Sequence, residues 1–360
     1  MDESTEKFLS AVKKYKKILI AIVGSPDPDA IASSFAIMEI LKIQKIDSAI
    51  VSQREVSLSQ NRAFMKLLKI PIKVDSQFHC DGFDAYIVTD FQLNLIKNVS
   101  EKIPCAAHID HHEPEKNRIP ADFTLIRTDC GSTSALVTTF VKDLKDELNT
   151  KDLQLISTAL MFGIQTDTDS CVHASETDLE AINFLSQFAN SKIINKLNGI
   201  HFSETTMSYY NRALKNQTLY KDWCFYGIGF IDILHRDSIA VIADLLLRKN
   251  SHRLVAVYSI IYDEDMKEVY LDVSLRTKSK TLDLNSMIKK ITPSGGGRTF
   301  KGAYQVNLNY FRFTDKNHLW SLVEEATIDW LKRSRDSSYL HEFSGIAKSF
   351  LNRIMDFLKK

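Results

Sequence analysis

Ile18-Leu19-Ile20-Ala21-Ile22-Val23 is an unbroken apolar run, closed by the turn Gly24-Ser25-Pro26-Asp27-Pro28-Asp29 and followed by a helical pattern over Ala30 to Lys42. A strand without polar alternation is buried on both faces, as in a parallel sheet with helices on either side. The same unit recurs downstream. Strands are expected at Ser48 to Val51, Ala85 to Thr89, Cys105 to Ile109 and Phe123 to Ile126. Helices are expected at Phe8 to Lys17, Asn61 to Leu68 and near Asn94 to Lys102. This alternation predicts a doubly wound, mainly parallel α/β sheet, whose ligands collect at the carboxyl ends of the strands.

Further on, Ser132 to Leu144, Lys151 to Phe162 and Glu176 to Phe188 read as helices, and the polar stretch Ser191 to Asn216 as a helical connector. The second half changes character. Leu219 to Ile231, Leu254 to Ile261, Val269 to Arg276 and Tyr304 to Phe313 are rich in aromatic and β-branched residues, as strands prefer. With helices at Ser238 to Leu247 and Leu284 to Ile291, they predict a smaller α+β domain. Amphipathic helices around Leu319 to Leu331 and Ile346 to Leu358 carry no chemical pattern, and packing or homodimerisation is their expected role. The expected organisation is a catalytic domain over 1–190, a connector over 191–216, a substrate-binding domain over 217–313 and a helical extension over 314–360.

With 360 residues the chain is long enough for two cores. Its 46 basic and 45 acidic residues nearly cancel, which excludes a strongly basic, non-specific nucleic-acid binder. The five cysteines are scattered without a CxxC pair and read as thiols of a reducing compartment. Met1 to Lys17 is polar, unlike a signal peptide, and no apolar stretch reaches the roughly 18 to 20 residues of a membrane span. These features predict a cytoplasmic protein with no membrane partner.

Four segments concentrate the chemistry. Asp27 and Asp29 follow the first strand, Asp90 ends the strand Ala85 to Thr89, and Asp110-His111-His112 ends the strand begun at Cys105. Asp167 lies in Gly163-Ile164-Gln165-Thr166-Asp167-Thr168-Asp169, after a helix. Each has an ordinary explanation: Asp27 and Asp29 suit a helix N-cap, and single acids are common at strand ends. Four such loops around converging strand ends instead suggest a metal centre. The Ser132-Thr133-Ser134 run suits a helix N-cap as well as it suits a lining of that centre. His108, in the strand of Asp110, reads as structural more readily than as a support for the site.

In this order, the segments resemble the motifs of the DHH phosphoesterase superfamily, named for its Asp-His-His triplet, across roughly Ile18 to Asp169. Val273-Ser274-Leu275-Arg276-Thr277 and Ser294-Gly295-Gly296-Gly297-Arg298 resemble segments of the DHH-associated domain. The resemblance points to the branch of nano-RNases and phosphoadenosine-phosphate phosphatases. It implies a first metal on Asp27, a second on Asp29, a bridging Asp90, and completion of the second site by His111 and Asp167. It places His112 toward the substrate phosphate, with Asp110 orienting a histidine. It assigns Arg276, Arg298 and the amides of Gly295, Gly296 and Gly297 to substrate phosphate. Manganese is the implied cofactor, with magnesium or another divalent cation as alternatives.

The chain departs from the family pattern twice. Val23 stands where the first motif has histidine, so the first metal should bind weakly. Arg298 replaces the histidine of the glycine loop; it clamps phosphate but donates no proton. The expected function is metal-dependent hydrolysis of short single-stranded oligonucleotides or nucleotide phosphates. The alternatives are a nucleotide-binding protein with weakened or lost turnover and a cyclic-dinucleotide phosphodiesterase.

Overall fold

A computed structural model of the chain describes residues 1–92, 96–114, 118–200, 202–263, 267–279, 281–292, 295–297 and 300–336. The chain divides into two compact units, Met1–His201 and Phe202–Lys360. No helix among the described residues is long and apolar enough to cross a membrane.

The first unit is built on six parallel strands: β1 (Lys17–Ile22), β2 (Asp47–Ser52), β3 (Ile72–Val74), β4 (Ala85–Thr89), β5 (Cys105–Asp110) and β6 (Phe123–Ile126). Their order in the sheet is β3-β2-β1-β4-β5-β6. Residues of β1 alternate between two cores. Ile18, Ile20 and Ile22 join one with the helices, while Leu19 and Ala21 join another with Tyr86, Val88 and Cys105. This two-sided burial is why the run carries no polar residue. The sheet reverses direction of growth between β1 and β4, and such a switch point opens a crevice at the carboxyl ends.

The helices are α1 (Glu3–Val12), α2 (Pro28–Ile43), α3 (Ser59–Leu68), α4 (Lys97–Ser100), α5 (Thr133–Asp143), α6 (Thr150–Asp167), α7 (Glu176–Leu185) and α8 (Ser191–Asn198). Helix α2 is buried along most of its length, and its Ser34 hydroxyl meets Thr89 Oγ1 at 2.8 Å. Two boundaries differ from the sequence reading in ways that matter. Helix α1 ends at Val12 instead of Lys17, because Lys17 already pairs with Asp47 in the sheet. Helix α6 does not stop at Phe162: it continues through Gly163 to Asp167. Asp167 therefore stands on a last helical turn, not on a loop at a strand end.

The second unit carries α9 (Glu204–Lys215), β7 (Gln217–Tyr220), β8 (Trp223–Asp232), α10 (Ser238–Lys249), β9 (Leu254–Tyr262), β10 (Val269–Thr277), α11 (Leu284–Lys289), β11 (Gly296–Gly297) and β12 (Lys301–Asn307). Its sheet order is β11-β12-β10-β9-β8-β7, with β8 and β9 parallel across the α10 crossover and the other pairs antiparallel. The stretch read as one strand over Leu219 to Ile231 is a hairpin, turned at Lys221 with φ 55°. The sequence over 316–336 is helical, and its Leu319, Val323 and Leu331 cover one face of the sheet. The expected helix Ile346 to Leu358 lies outside the described residues. The stretch read as a connector is divided: α8 belongs to the first unit and α9 to the second.

Candidate metal centre

The switch point receives Asp27 and Asp29 from the segment after β1 and Asp90 from the end of β4. Asp27 N-caps α2, its Oδ1 accepting the Ala30 amide at 2.9 Å. Capping and metal binding are compatible, since a carboxylate offers about four lone-pair directions. Asp29, two residues on, is completely buried. Its two oxygens accept the amides of Thr133 at 2.7 Å and Ser134 at 2.8 Å, at the start of α5. Asp90 holds a left-handed backbone, φ 58°, and accepts the Thr133 hydroxyl at 2.9 Å.

His111 is the centre of this group. Its Nδ1 lies 3.2 Å from the Cys130 carbonyl. A carbonyl only accepts, so Nδ1 carries the proton and the Nε2 lone pair points the other way. Nε2 faces Asp167 Oδ2 at 3.1 Å, Asp90 Oδ1 at 3.4 Å and Asp29 Oδ2 at 3.8 Å. A lone pair aimed at carboxylates is repulsive unless a proton or a cation stands among them. The donor set of one imidazole and three carboxylates fits a hard divalent cation such as manganese or magnesium. Asp29, His111 and Asp167 form one triad whose ligand atoms lie within 4.8 Å of each other; Asp90, His111 and His112 form a second. Asp167 sits at the carboxyl end of α6, where the helix dipole also favours a cation.

The electrostatics agree. Burial, then the charges of Asp90 and Asp167, push the Asp29 carboxyl well above the usual carboxylate range. Burial and the charge of Asp27 do the same to Asp90. Protons are favoured here because negative charge is in excess, and a divalent cation relieves the same excess.

Asp110 behaves differently. Its Oδ1 accepts the His111 amide at 2.8 Å and His112 Nδ1 at 2.8 Å. Burial pushes its carboxyl up, but the neighbouring His112 and His111 outweigh burial and the net shift is downward. For His112 burial acts downward, and Asp110 followed by Asp90 turns the net shift upward. With Nδ1 held by Asp110 and 40% of its side chain exposed, His112 is the imidazole of the triplet that solvent reaches. His108 is a backbone staple: Nε2 lies 2.8 Å from the Phe91 carbonyl and Nδ1 3.3 Å from that of Ile119. Val23 belongs to an apolar cluster with Leu19, Ala21, Phe78 and Val88.

The structure thus gathers Asp29, Asp90, His111 and Asp167, with His112 and the charge of Asp27 alongside. The Ser132-Thr133-Ser134 run does both things expected of it. Ser132 caps α5 through the Ala135 amide, and the next two residues hold Asp29 and Asp90. Sequence reading missed the Cys130 carbonyl behind His111, since a backbone oxygen has no sequence pattern.

In the second unit, Arg276 is buried and engaged. Its Nε donates to Asp244 Oδ1 at 2.6 Å and its Nη1 to the Leu275 carbonyl at 3.0 Å. The Gly295 amide donates to Thr292 O and the Gly297 amide to Asn285 Oδ1, both at 3.3 Å. Gly296 and Gly297 pair with Ala303 and Gly302 of β12, and a Cβ on Gly297 would collide with the Lys301 carbonyl. Arg298 lies outside the described residues.

Residues 17–164 match the DHH family, N-terminal domain. The chain is 28% identical over 318 residues to the uncharacterized protein MJ1633 of Methanocaldococcus jannaschii, covering 87% of this chain but only 63% of that relative. It is similar in fold to a crystal structure of an exopolyphosphatase-related protein from Bacteroides fragilis. That similarity has a TM-score of 0.65 at 16% identity, over 92% of this chain and 97% of the other. With the matched segment carrying the Asp-His-His triplet at the end of β5, the first unit of this chain is similar to the DHH family, N-terminal domain.

Proposed function

We propose that this chain is a manganese-dependent phosphoesterase acting on nucleotide phosphates or short single-stranded oligonucleotides. One observation carries the reading: the His111 Nε2 lone pair faces three buried or half-buried carboxylates at 3.1 to 3.8 Å. Divalent ions at such a site activate water and neutralise charge on a phosphoryl oxygen. The chain's own residues supply the rest. Asp29, Asp90, His111 and Asp167 hold the cation, with Asp27 and Asp90 for a weaker one. His112, held at Nδ1 by Asp110 and with its charged form favoured by that carboxylate, presents its exposed edge to a substrate phosphate. In the second unit, Arg276 donates to Asp244, and substrate phosphate would bind near Arg276 and the Gly295 to Gly297 segment, in exchange for Asp244.

The test is hydrolysis of a two- to five-nucleotide RNA and of phosphoadenosine phosphate, with and without Mn²⁺. Asp90→Ala and His111→Ala are each expected to lower the rate about 10²-fold or more. An unchanged rate in both ends the reading. A second reading, nucleotide binding without turnover, is favoured by Val23, which contributes packing where the family motif has a ligand. It predicts nucleotide affinity with no gain in hydrolysis on adding Mn²⁺.

A further inference from the structure

We propose that Asp178 is a positioning residue for the metal centre, acting through the segment 130–134; this rests on the metal-binding reading above. Asp178 is the third residue of α7, completely buried, and part of a capping box with Ser175. A capping box asks its carboxylate only to accept the N-cap amide. Asp178 does more. Its Oδ2 accepts the Ser175 amide at 2.8 Å and hydroxyl at 2.6 Å, and also the Gly131 amide at 2.7 Å. Its Oδ1 accepts the Ser132 hydroxyl at 2.9 Å, and the Cys130 thiol lies 3.8 Å away.

The segment so tied reaches three of the four gathered ligands. The Cys130 carbonyl fixes the His111 tautomer, the Thr133 and Ser134 amides hold both oxygens of Asp29, and the Thr133 hydroxyl holds Asp90. Gly131 shows how closely the segment is seated. A Cβ there would stand 2.5 Å from Asp178 Oδ2 and 2.8 Å from Thr168 Cγ2, next to Asp167. Asp178 is thus the anchor under the residues that orient the ligands, and such outer partners set ligand geometry and affinity. A helix cap alone would stabilise α7 and leave the metal indifferent. The two roles separate experimentally, because Ser175 bonds Asp178 within the cap, whereas the bonds to residues 130–134 are made by Asp178.

The experiment measures Mn²⁺ affinity by titration calorimetry and the melting temperature of the metal-free full chain. Asp178→Ala is expected to bind Mn²⁺ about 10- to 100-fold more weakly. Asp178→Asn should stay within about threefold of wild type, since its oxygen can take the Gly131 and Ser175 amides while its NH₂ donates to Ser132. Ser175→Ala should lower the melting temperature and leave affinity within about threefold. Should Asp178→Ala fail to fold, Asp178→Glu substitutes for it: the charge and cap persist, the segment is displaced, and about a tenfold loss of affinity is expected. Wild-type affinity in Asp178→Ala, or in Asp178→Glu where that replaces it, overturns the proposal. So does an equal loss in Ser175→Ala. Absence of any wild-type Mn²⁺ binding that His111→Ala removes overturns the metal site itself and the anchor with it.

Discussion

Asp90 illustrates what a single residue adds to the site and what it costs. It lies in the left-handed region at φ 58°, its carboxylate is buried, and its neighbours include Asp27, Asp110 and Asp167. Asparagine tolerates that backbone, keeps an acceptor for the Thr133 hydroxyl and removes the repulsion. Asp90→Asn is therefore expected to raise the melting temperature of the metal-free protein by about 2–4 °C, for a gain of about 1 kcal/mol in a unit of this size. Mn²⁺ affinity should fall in the same variant; a metal-free melting temperature below wild type would contradict the repulsion. Val23 gives the converse case. Val23→His removes an apolar side chain from the cluster that includes Phe78 and Val88 and costs about 1–2 kcal/mol of packing. It should tighten the weaker cation beside Asp27 and Asp90, read as a second Mn²⁺ equivalent in a titration. The identities of these residues were legible in the sequence because acids at the ends of buried strands are few. The left-handed turn of Asp90 and the tautomer of His111 were not, since both are imposed by neighbours distant in the chain.

At the scale of elements, α6 is where local propensity misled and packing prevailed. Gly163 looks like a helix stop, yet the helix continues past it to deliver Asp167. The glycine is there for close approach: a Cβ would collide with Ser134 Oγ and stand 3.1 Å from Ala32 Cβ and 3.2 Å from the Pro28 carbonyl. Helix α6 thereby packs directly against the amino ends of α2 and α5, which carry Asp29 and its amide partners. In an open helix, glycine to alanine stabilises by about 1 kcal/mol. Here the sign should reverse. Gly163→Ala is expected to destabilise by about 1–3 kcal/mol, as overpacking does. It should also weaken Mn²⁺ binding, because the displaced helix carries Asp167. Calorimetry and a metal titration on the same variant check both. Strands β1, β4 and β5, by contrast, were read to within one residue at each end, because they are buried on both faces and acids stand at or just past their ends, whereas the short edge strand β3 was not expected.

The whole molecule joins two units of unequal legibility. The first was readable because its candidate metal ligands occupy a few segments between buried strands. In the second, the strands show in composition, but the partners of Arg276 do not. Asp244 comes from α10, and no local pattern announces that it meets a strand residue 32 positions away. All the proposed metal ligands fall between Asp27 and Asp167, hence within Met1–His201. A ligand that binds only the folded state stabilises by RT ln(1 + [L]/Kd), about 2.7 kcal/mol at a hundredfold excess over Kd. Mn²⁺ should therefore raise the melting transition of the first unit, with EDTA reversing the shift and His111→Ala abolishing it. The transition that reports the second unit can be followed through Trp223, Trp320 and Trp330, because the chain's three tryptophans all lie beyond residue 202. Far-ultraviolet circular dichroism, to which both units contribute, should then show a Mn²⁺-dependent component that tryptophan fluorescence lacks. A fluorescence transition that moves with Mn²⁺ as far as the circular dichroism transition would mean that the two units unfold as one, and that the metal stabilises the entire chain.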